Sequence, residues 1–216
     1  PRVPSARILT YSDLDSRKPA ISELAMALAQ RDHQHHTYGD YRSWPDDVRY
    51  ELIDGQAYAM SPGPNRRHQE VGFETARQIA DALEGSPSRV YVAPFDVRLP
   101  RGDEADDDVD TVVQPDISVI CDRAKLDDRG CRGAPDWVIE VLSPSTASHD
   151  QILKRALYER HGVREYWLIH PVDSIVTVYR LVDGAYGRPD IYELKDTLAC
   201  GILPEVVIDW ARVLGE

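Results

Sequence analysis

Two carboxylates stand where carboxylates are costly. Glu140 interrupts Trp137-Val138-Ile139 and Val141-Leu142, and Asp116 follows Pro115 and enters Ile117-Ser118-Val119-Ile120. A carboxylate inside a buried strand is unfavourable unless it is paired, hydrogen-bonded or bound to a metal. Two of them on neighbouring strands could converge on one divalent cation. Oxygen-only ligation suits Mg²⁺ or Mn²⁺, which take few protein groups and keep several waters. Each acid has a plainer reading. Asp116 could cap a strand end after the proline, and period-2 alternation could turn Glu140 outward from an edge strand. The run around Glu140 is apolar on both faces, however, which reads as a central strand.

A cation follows. Asp150, Lys154 and Tyr158 recur at i, i+4 and i+8 on the helix expected after Glu140, so they share a face. In the plain reading this is an exposed Asp–Lys pair of small energetic weight. In the sharper reading the face looks back over the sheet end, and Lys154 orients a water or stabilises charge growing on a phosphate. Other chemistries lack support. Ser143, Ser145 and His149 lie close in sequence, but no GxSxG elbow occurs, nor any GxxxxGK[ST] or GxGxxG phosphate loop. Trp44, Trp137, Trp167 and Trp210 are too scattered for a stacking platform.

The elements that must position these groups can be read from pattern and punctuation. Arg49–Ile53 and Gln56–Met60 flank Asp54-Gly55, a strong hairpin signal because both turn positions need φ > 0. His68–Glu84 reads as a helix with Phe73, Ala76, Ala80 and Leu83 on its apolar face and Gly85 as its stop. Strands are expected over Arg89–Leu99, Val112–Ile120, Trp137–Leu142, Glu165–Ile169, Ser174–Leu181 and Ile191–Leu194. A helix over Asp150–His161 closes at Gly162, and Val206–Val213 is a terminal helix or strand. Trp44-Pro45-Asp46-Asp47 suggests a turn or short helix. Ser61-Pro62-Gly63-Pro64-Asn65 breaks the pattern, and Ser143-Pro144-Ser145 turns the chain. The sum is a mixed α/β domain over residues 41–216, preceded by a peripheral extension over 1–40 with a short helix at Ile21–Gln30.

Composition narrows the class. The 216 residues carry a formal net charge of −12, with 42% hydrophobic and 29% charged residues, which suits a globular chain. No apolar run approaches the roughly 20 residues that span a bilayer, and the first residues lack the apolar core of a secretory signal. Cys121, Cys131 and Cys200 are odd in number and form no CxxC, so a disulfide framework or structural zinc is not expected and a cytoplasmic setting is. His33, His35 and His36 find no matching ligand cluster. The run Asp103–Asp110 reads as a solvated acidic loop or a weak cation-binding loop.

Tyr50-Glu51-Leu52-Ile53-Asp54-Gly55, then His68, then Gln114-Pro115-Asp116-Ile117-Ser118-Val119, then Ala134-Pro135-Asp136-Trp137-Val138-Ile139-Glu140-Val141-Leu142-Ser143-Pro144-Ser145, then Asp150 to Lys154 and Tyr158, resemble the Uma-two family. These are bacterial, often cyanobacterial, restriction-endonuclease-like proteins of the PD-(D/E)XK nuclease superfamily. The resemblance covers roughly residues 41–195, and its most specific part is the ordered set ending in VIEVLSPS. It implies a central mixed sheet flanked by helices with an N-terminal β-hairpin. It also implies a site: Asp116 and Glu140 match the two acidic positions. The superfamily lysine expected two residues after the second acid is replaced by Leu142, and Lys154 on the next helix takes its part. Glu51 matches an acidic hairpin position, and His68 a polar position at the start of the first long helix.

The implied activity is metal-dependent hydrolysis of DNA. Mg²⁺ or Mn²⁺ would be held by Asp116, Glu140 and the main-chain carbonyl of Val141, with Lys154 orienting the attacking water. A homodimer is expected, as in many nucleases that cut two strands. The acidic balance argues against binding by bulk charge, so a basic face must be assembled locally from Arg66, Arg67, Arg77, Lys154, Arg155 and Arg160. His68, Tyr158 and Arg67 are the candidate substrate contacts. Two alternatives stay open: a nuclease-fold protein that binds without turnover, and a hydrolase of RNA or a small phosphodiester.

Overall fold

The computed structural model describes residues 34–45, 49–60, 63–143 and 149–215. The short helix expected at Ile21–Gln30 and the Asp46-Asp47, Ser61-Pro62 and Pro144-Ser145 turn pairs lie outside the described residues, as does His33.

The described residues build two large sheets that pack against each other and a two-stranded sheet of the last two strands. Helix α1 (Tyr38–Tyr41) precedes the hairpin β1 (Tyr50–Ile53) and β2 (Gln56–Ala59). Asp54 and Gly55 make its turn with φ of 52° and 77°, the left-handed pair that the Asp-Gly signal requires. Helix α2 (Arg66–Ala82) follows, then β3 (Arg89–Val92), β4 (Val97–Arg98), β5 (Val112–Val113), β6 (Ile117–Ile120), β7 (Leu126–Asp127), β8 (Gly130–Arg132) and β9 (Trp137–Val141). A π-helical turn (His149–Lys154) runs into α3 (Arg155–His161). After it come β10 (Glu165–His170), β11 (Ile175–Val182), β12 (Ala185–Tyr186), β13 (Asp190–Glu193), β14 (Thr197–Ala199), β15 (Val207–Asp209) and α4 (Trp210–Leu214).

The larger sheet runs β12-β11-β10-β9-β6-β3, with β13 also on β11, and it is mixed: β9 and β10 are parallel while the other pairs are antiparallel. The smaller sheet runs β2-β1-β5-β4-β8-β7. Alternation along β9 sorts the core. Trp137, Ile139 and Val141 face α2 and α4, where they meet Val71, Ile79, Trp210 and Val213. Val138 faces the other way, toward Leu157 and Tyr158 of α3 and Ile53, Val97 and Val113 of the smaller sheet. Glu140 shares the parity of Val138 and so enters the layer between the larger sheet, the hairpin and α3.

Several expectations are corrected. The run Arg89–Leu99 forms two strands in different sheets, broken at Pro94, and Val112–Ile120 does the same at Pro115. Proline donates no ladder hydrogen bond, so a central strand cannot run through it. The apolar face of α2 is centred on Val71, Thr75, Ala76 and Ile79, whereas Phe73 is 71% exposed and Ala80 is also exposed. The segment Val206–Val213 is strand and then helix, its start capped by Asp209, whose carboxylate accepts from the Ala211 and Arg212 N–H groups. The acidic run is not a freely solvated loop. Fully buried Arg98 reaches Asp106 and, at 2.7 Å, Asp127, while Arg42 holds Asp107 at 2.7 Å and Arg101 holds Asp110 at 3.1 Å. Two arginines just upstream of the run and one distant in sequence, Arg42, offset charges that repel one another locally. All three cysteines are free thiols. Among the described residues no helix is long and apolar enough to cross a membrane.

Asn65 caps α2 by accepting from the His68 N–H at 2.9 Å. Asn65→Ala is expected to lower stability by about 1 kcal/mol, read by chemical denaturation, and to loosen the turn that carries His68.

Candidate active site

Three parts of the chain meet at Glu140. The β6–β9 pairing sets Ile117 opposite Ile139, and the same register continued by one residue sets Asp116 opposite Glu140. The two acids lock that end of the ladder reciprocally. The Asp116 N–H donates to Glu140 Oε2 at 3.2 Å, and the Val141 N–H donates to Asp116 Oδ2 at 2.8 Å. From the helix, Lys154 Nζ donates to Glu140 Oε1 at 2.9 Å and the Tyr158 hydroxyl to the same oxygen at 3.0 Å. From the hairpin comes Glu51, whose Oε1 lies 2.8 Å from Lys154 Nζ and also accepts from the Gln114 N–H at 2.9 Å. Glu51, Glu140, Asp150 and Lys154 are all buried, Lys154 being 4% exposed. Asp116 is open to solvent on one side, and His68 Nε2 stands 3.1 Å from its Oδ2.

The plain reading of Asp150 and Lys154 as an exposed pair is therefore overturned. One buried ammonium is shared by three carboxylates, with Asp150 Oδ1 at 3.6 Å. Asp150 and Lys154 lie in the π turn and Tyr158 one turn on in α3, on the face turned inward; such turns are frequent at functional sites. Tyr166 fixes the start of that turn by donating to the Asp150 carbonyl at 3.1 Å.

The electrostatics follow from burial and crowding. Burial works to raise the Glu51 carboxyl, but the Lys154 ammonium and hydrogen bonds from His149, Lys154 and the Gln114 N–H outweigh it and hold the group at about 2. For Glu140 burial, reinforced by Asp150, Asp116 and Glu51, outweighs Lys154 and pushes the carboxyl well above its ordinary range. Burial alone would lower Lys154, yet Glu140, Glu51 and Asp150 push it well above its ordinary value, so it stays charged. Burial also works against a charged His68, but Asp116 and the main chain of Val141 raise it.

A carboxylate held up by its like-charged neighbours is one that a cation would stabilise. Among the described residues no three His, Cys, Asp or Glu side chains form a ready cage. The donors at hand are two carboxylates and a main-chain carbonyl, a sparse oxygen set that fits an ion retaining several waters, as Mg²⁺ and Mn²⁺ do.

The structure thus brings together Asp116, Glu140, Val141, Lys154, Glu51, His68 and Tyr158, and leaves Arg67 apart. The Arg67 guanidinium donates to the Leu214 carbonyl at 3.0 Å and ties α2 to the last helix. Tyr158 is fully buried, so it positions Glu140 instead of meeting a substrate. Tyr158→Phe is expected to cost about 1 kcal/mol of stability and to lower turnover while leaving substrate affinity unchanged, a split read from kcat and KM. His149 was missed as a site residue. Its Nε2 lies 3.4 Å from Glu51 Oε2 and its ring packs edge-on to Tyr58. No local signal marks it, since the contact is across the fold. The arginines expected to build a basic face are spent elsewhere: Arg66 pairs with Glu70, Arg77 with Glu74 and Asp81, Arg155 with Glu159, and Arg160 with Asp54.

Comparison with known proteins agrees with the fold. The chain is 26% identical over 165 residues to an uncharacterized protein of Synechocystis sp., covering 72% of this chain and 83% of that one. Its fold superposes on a crystal structure from Anabaena variabilis, described as a putative nuclease belonging to DUF820, with a TM-score of 0.66 and 21% identity, covering 83% of this chain and 97% of that one. The model of the Uma2 family, described as "Putative restriction endonuclease", matches residues 38–211, and the chain therefore belongs to that family.

Proposed function

We propose that the protein is a metal-dependent endonuclease that hydrolyses phosphodiester bonds of DNA, with Asp116, Glu140, Lys154 and Glu51 as its chemical groups. One observation carries this reading: a buried ammonium wedged between Glu51 and Glu140, directly beside the solvent-facing Asp116. Structural ion pairs have no need of a second, partly open acid at the same point. The restriction-endonuclease-like family is consistent with it.

Asp116, Glu140 and the Val141 carbonyl would hold Mg²⁺ or Mn²⁺. Such an ion, when bound, lowers the pKa of water and neutralises phosphate charge. Lys154 is fixed by Glu51 and Asp150, so its ammonium can stabilise negative charge developing on a phosphate without first reorganising. Glu51 stays ionised and keeps that ammonium protonated. Tyr158 and the Asp116 N–H hold Glu140 in one orientation. His68 is paired with Asp116 Oδ2, and from there it would meet a phosphate oxygen brought to Asp116.

The acid-paired arginines favour a second reading, in which the substrate is a single strand, an RNA or a small phosphodiester that needs no broad basic groove. A second copy is expected for cutting both strands. The unshared edge of the larger sheet supports it, since β13 exposes Ile191 at 62%. Light scattering after size exclusion checks that state. The deciding experiment is cleavage of supercoiled DNA, single-stranded DNA and RNA with Mg²⁺ or Mn²⁺, with Glu140→Ala and Lys154→Ala beside the wild type. Cleavage abolished by both substitutions supports the reading. Cleavage that survives Glu140→Ala, or none on any substrate together with no metal binding by calorimetry, rejects it.

A further inference from the structure

The Lys154 ammonium stands where oxygens of three carboxylates converge. Its Nζ lies 2.8 Å from Glu51 Oε1, 2.9 Å from Glu140 Oε1 and 3.6 Å from Asp150 Oδ1. The acids come from the hairpin, the larger sheet and the π turn, and all four side chains are at most 5% exposed. A buried lysine needs one carboxylate as its partner. Each further one costs desolvation and repels the others. Glu140 is also divided between two places. Its Oε1 accepts from Lys154 and from the Tyr158 hydroxyl, whereas its Oε2 turns to the neighbouring strand and accepts the Asp116 N–H at 3.2 Å. Two-metal hydrolases set their ions roughly 3.5–4 Å apart. A carboxylate whose two oxygens face different ways can serve both positions.

We propose that the Lys154 ammonium fills the second cation position of this site, so that the protein takes one divalent ion per chain, at Asp116 and Glu140. The distances suit an ammonium. Oxygens at 2.8–3.6 Å are the neighbours of a nitrogen cation, while Mg²⁺ and Ca²⁺ draw theirs in to roughly 2.0–2.6 Å. The same spacing accords with the lack of a ready metal cage among the described residues. A second ion on Glu51, Glu140 and Asp150 would collide with the ammonium, so that position opens only when Lys154 is removed. The lysine supplies positive charge there that cannot dissociate, and the three acids hold it at a fixed point. One exchangeable ion then remains, on the side of Glu140 where Asp116 meets solvent.

This inference rests on the metal reading of the proposed function, and its test counts ions without measuring cleavage. Mn²⁺ is titrated into the full chain and the free ion is followed by electron paramagnetic resonance. The wild type is expected to bind one Mn²⁺ per chain and Lys154→Ala two. The double variant Lys154→Ala with Asp116→Asn is expected to keep one, because the opened position does not use Asp116. Saturating Mn²⁺ is also expected to raise the Tm of Lys154→Ala by about 5 °C more than it raises that of the wild type, since the second ion replaces the lost ammonium. If Lys154→Ala is unfolded in chelator, folding restored by Mn²⁺ supports the inference, and folding that Mn²⁺ does not restore overturns it. Two ions in the wild type, or the same count in wild type and Lys154→Ala, also overturns it. No ion in the wild type but one in Lys154→Ala would reject the metal reading of Asp116 and leave Lys154 in a cation position.

Discussion

Lys154→Ala is expected to lose phosphodiesterase activity and to be the most destabilised single variant at the site. The ammonium is the shared partner of Glu51, Glu140 and Asp150, all buried. Removing one partner of a buried ion pair typically costs about 3–5 kcal/mol, because the remaining charge is left uncompensated. For a domain of this size that lowers Tm by about 10 °C or more. The pH dependence has a defined sign. Glu51 titrates at about 2 in the folded protein against 4.5 ordinarily, so it contributes about 3 kcal/mol above pH 4.5, which is lost as the pH falls toward 2. Without Lys154 only the hydrogen bonds from His149 and the Gln114 N–H oppose burial at Glu51, and most of that contribution disappears. The gap between wild type and variant is therefore widest near neutrality and narrows below pH 4.5, which denaturation at a series of pH values would show. A variant as stable as the wild type at pH 7 would mean that Lys154 does not hold the cluster together.

Glu140→Gln is expected to be as inactive as Lys154→Ala but far closer to wild type in stability. The Glu140 carboxyl is pushed upward by burial and by Asp150, Asp116 and Glu51. An acid whose folded pKa is raised detracts from stability as the pH climbs above its ordinary value, so removing its charge relieves that strain at neutral pH. Lys154 keeps Glu51 and Asp150 as partners. The cost is one mismatched donor, because the new amide N–H must face Asp116 N–H or the Lys154 and Tyr158 donors. Tyr158 can turn its hydroxyl to accept. A net change within about 2 kcal/mol is expected at pH 7, with cleavage lost. A loss of stability equal to that of Lys154→Ala would show that Glu140 serves the fold, and full activity would remove it from the chemistry. The contrast between the two variants separates a group that holds the site from a group that acts in it.

Residues governed by near neighbours were legible in the chain. Asp54-Gly55 demands a left-handed turn, Gly162 ends α3 with φ of 82°, and the apolar run on both sides of Glu140 requires a central strand. The importance of Asp116 and Glu140 follows from the same local rule, a charge placed in an apolar strand. Glu51 and His68 carry no local signal of that kind and were found through their place in a family motif. Charge pairing decided the rest, some of it local and some across the fold. The acidic run at 103–110 is met by Arg98 and Arg101, which stand just before it in the chain, and by Arg42 from 65 residues away. Arg66, Arg77 and Arg155 pair with acids three or four residues away on their own helices, a spacing present in the sequence, whereas Arg160 finds Asp54 across the fold. Lys154 could have been a surface lysine. The fold made it a buried one by laying α3 over the larger sheet and bringing the hairpin across from the other side. Sequence by itself determined where charges sit along each strand and turn, because those choices depend on a few adjacent residues. Which buried charges are neutralised depends on distances across the fold, and at the short separations and low polarity of the interior that pairing sets both the stability of the site and the protonation of its groups.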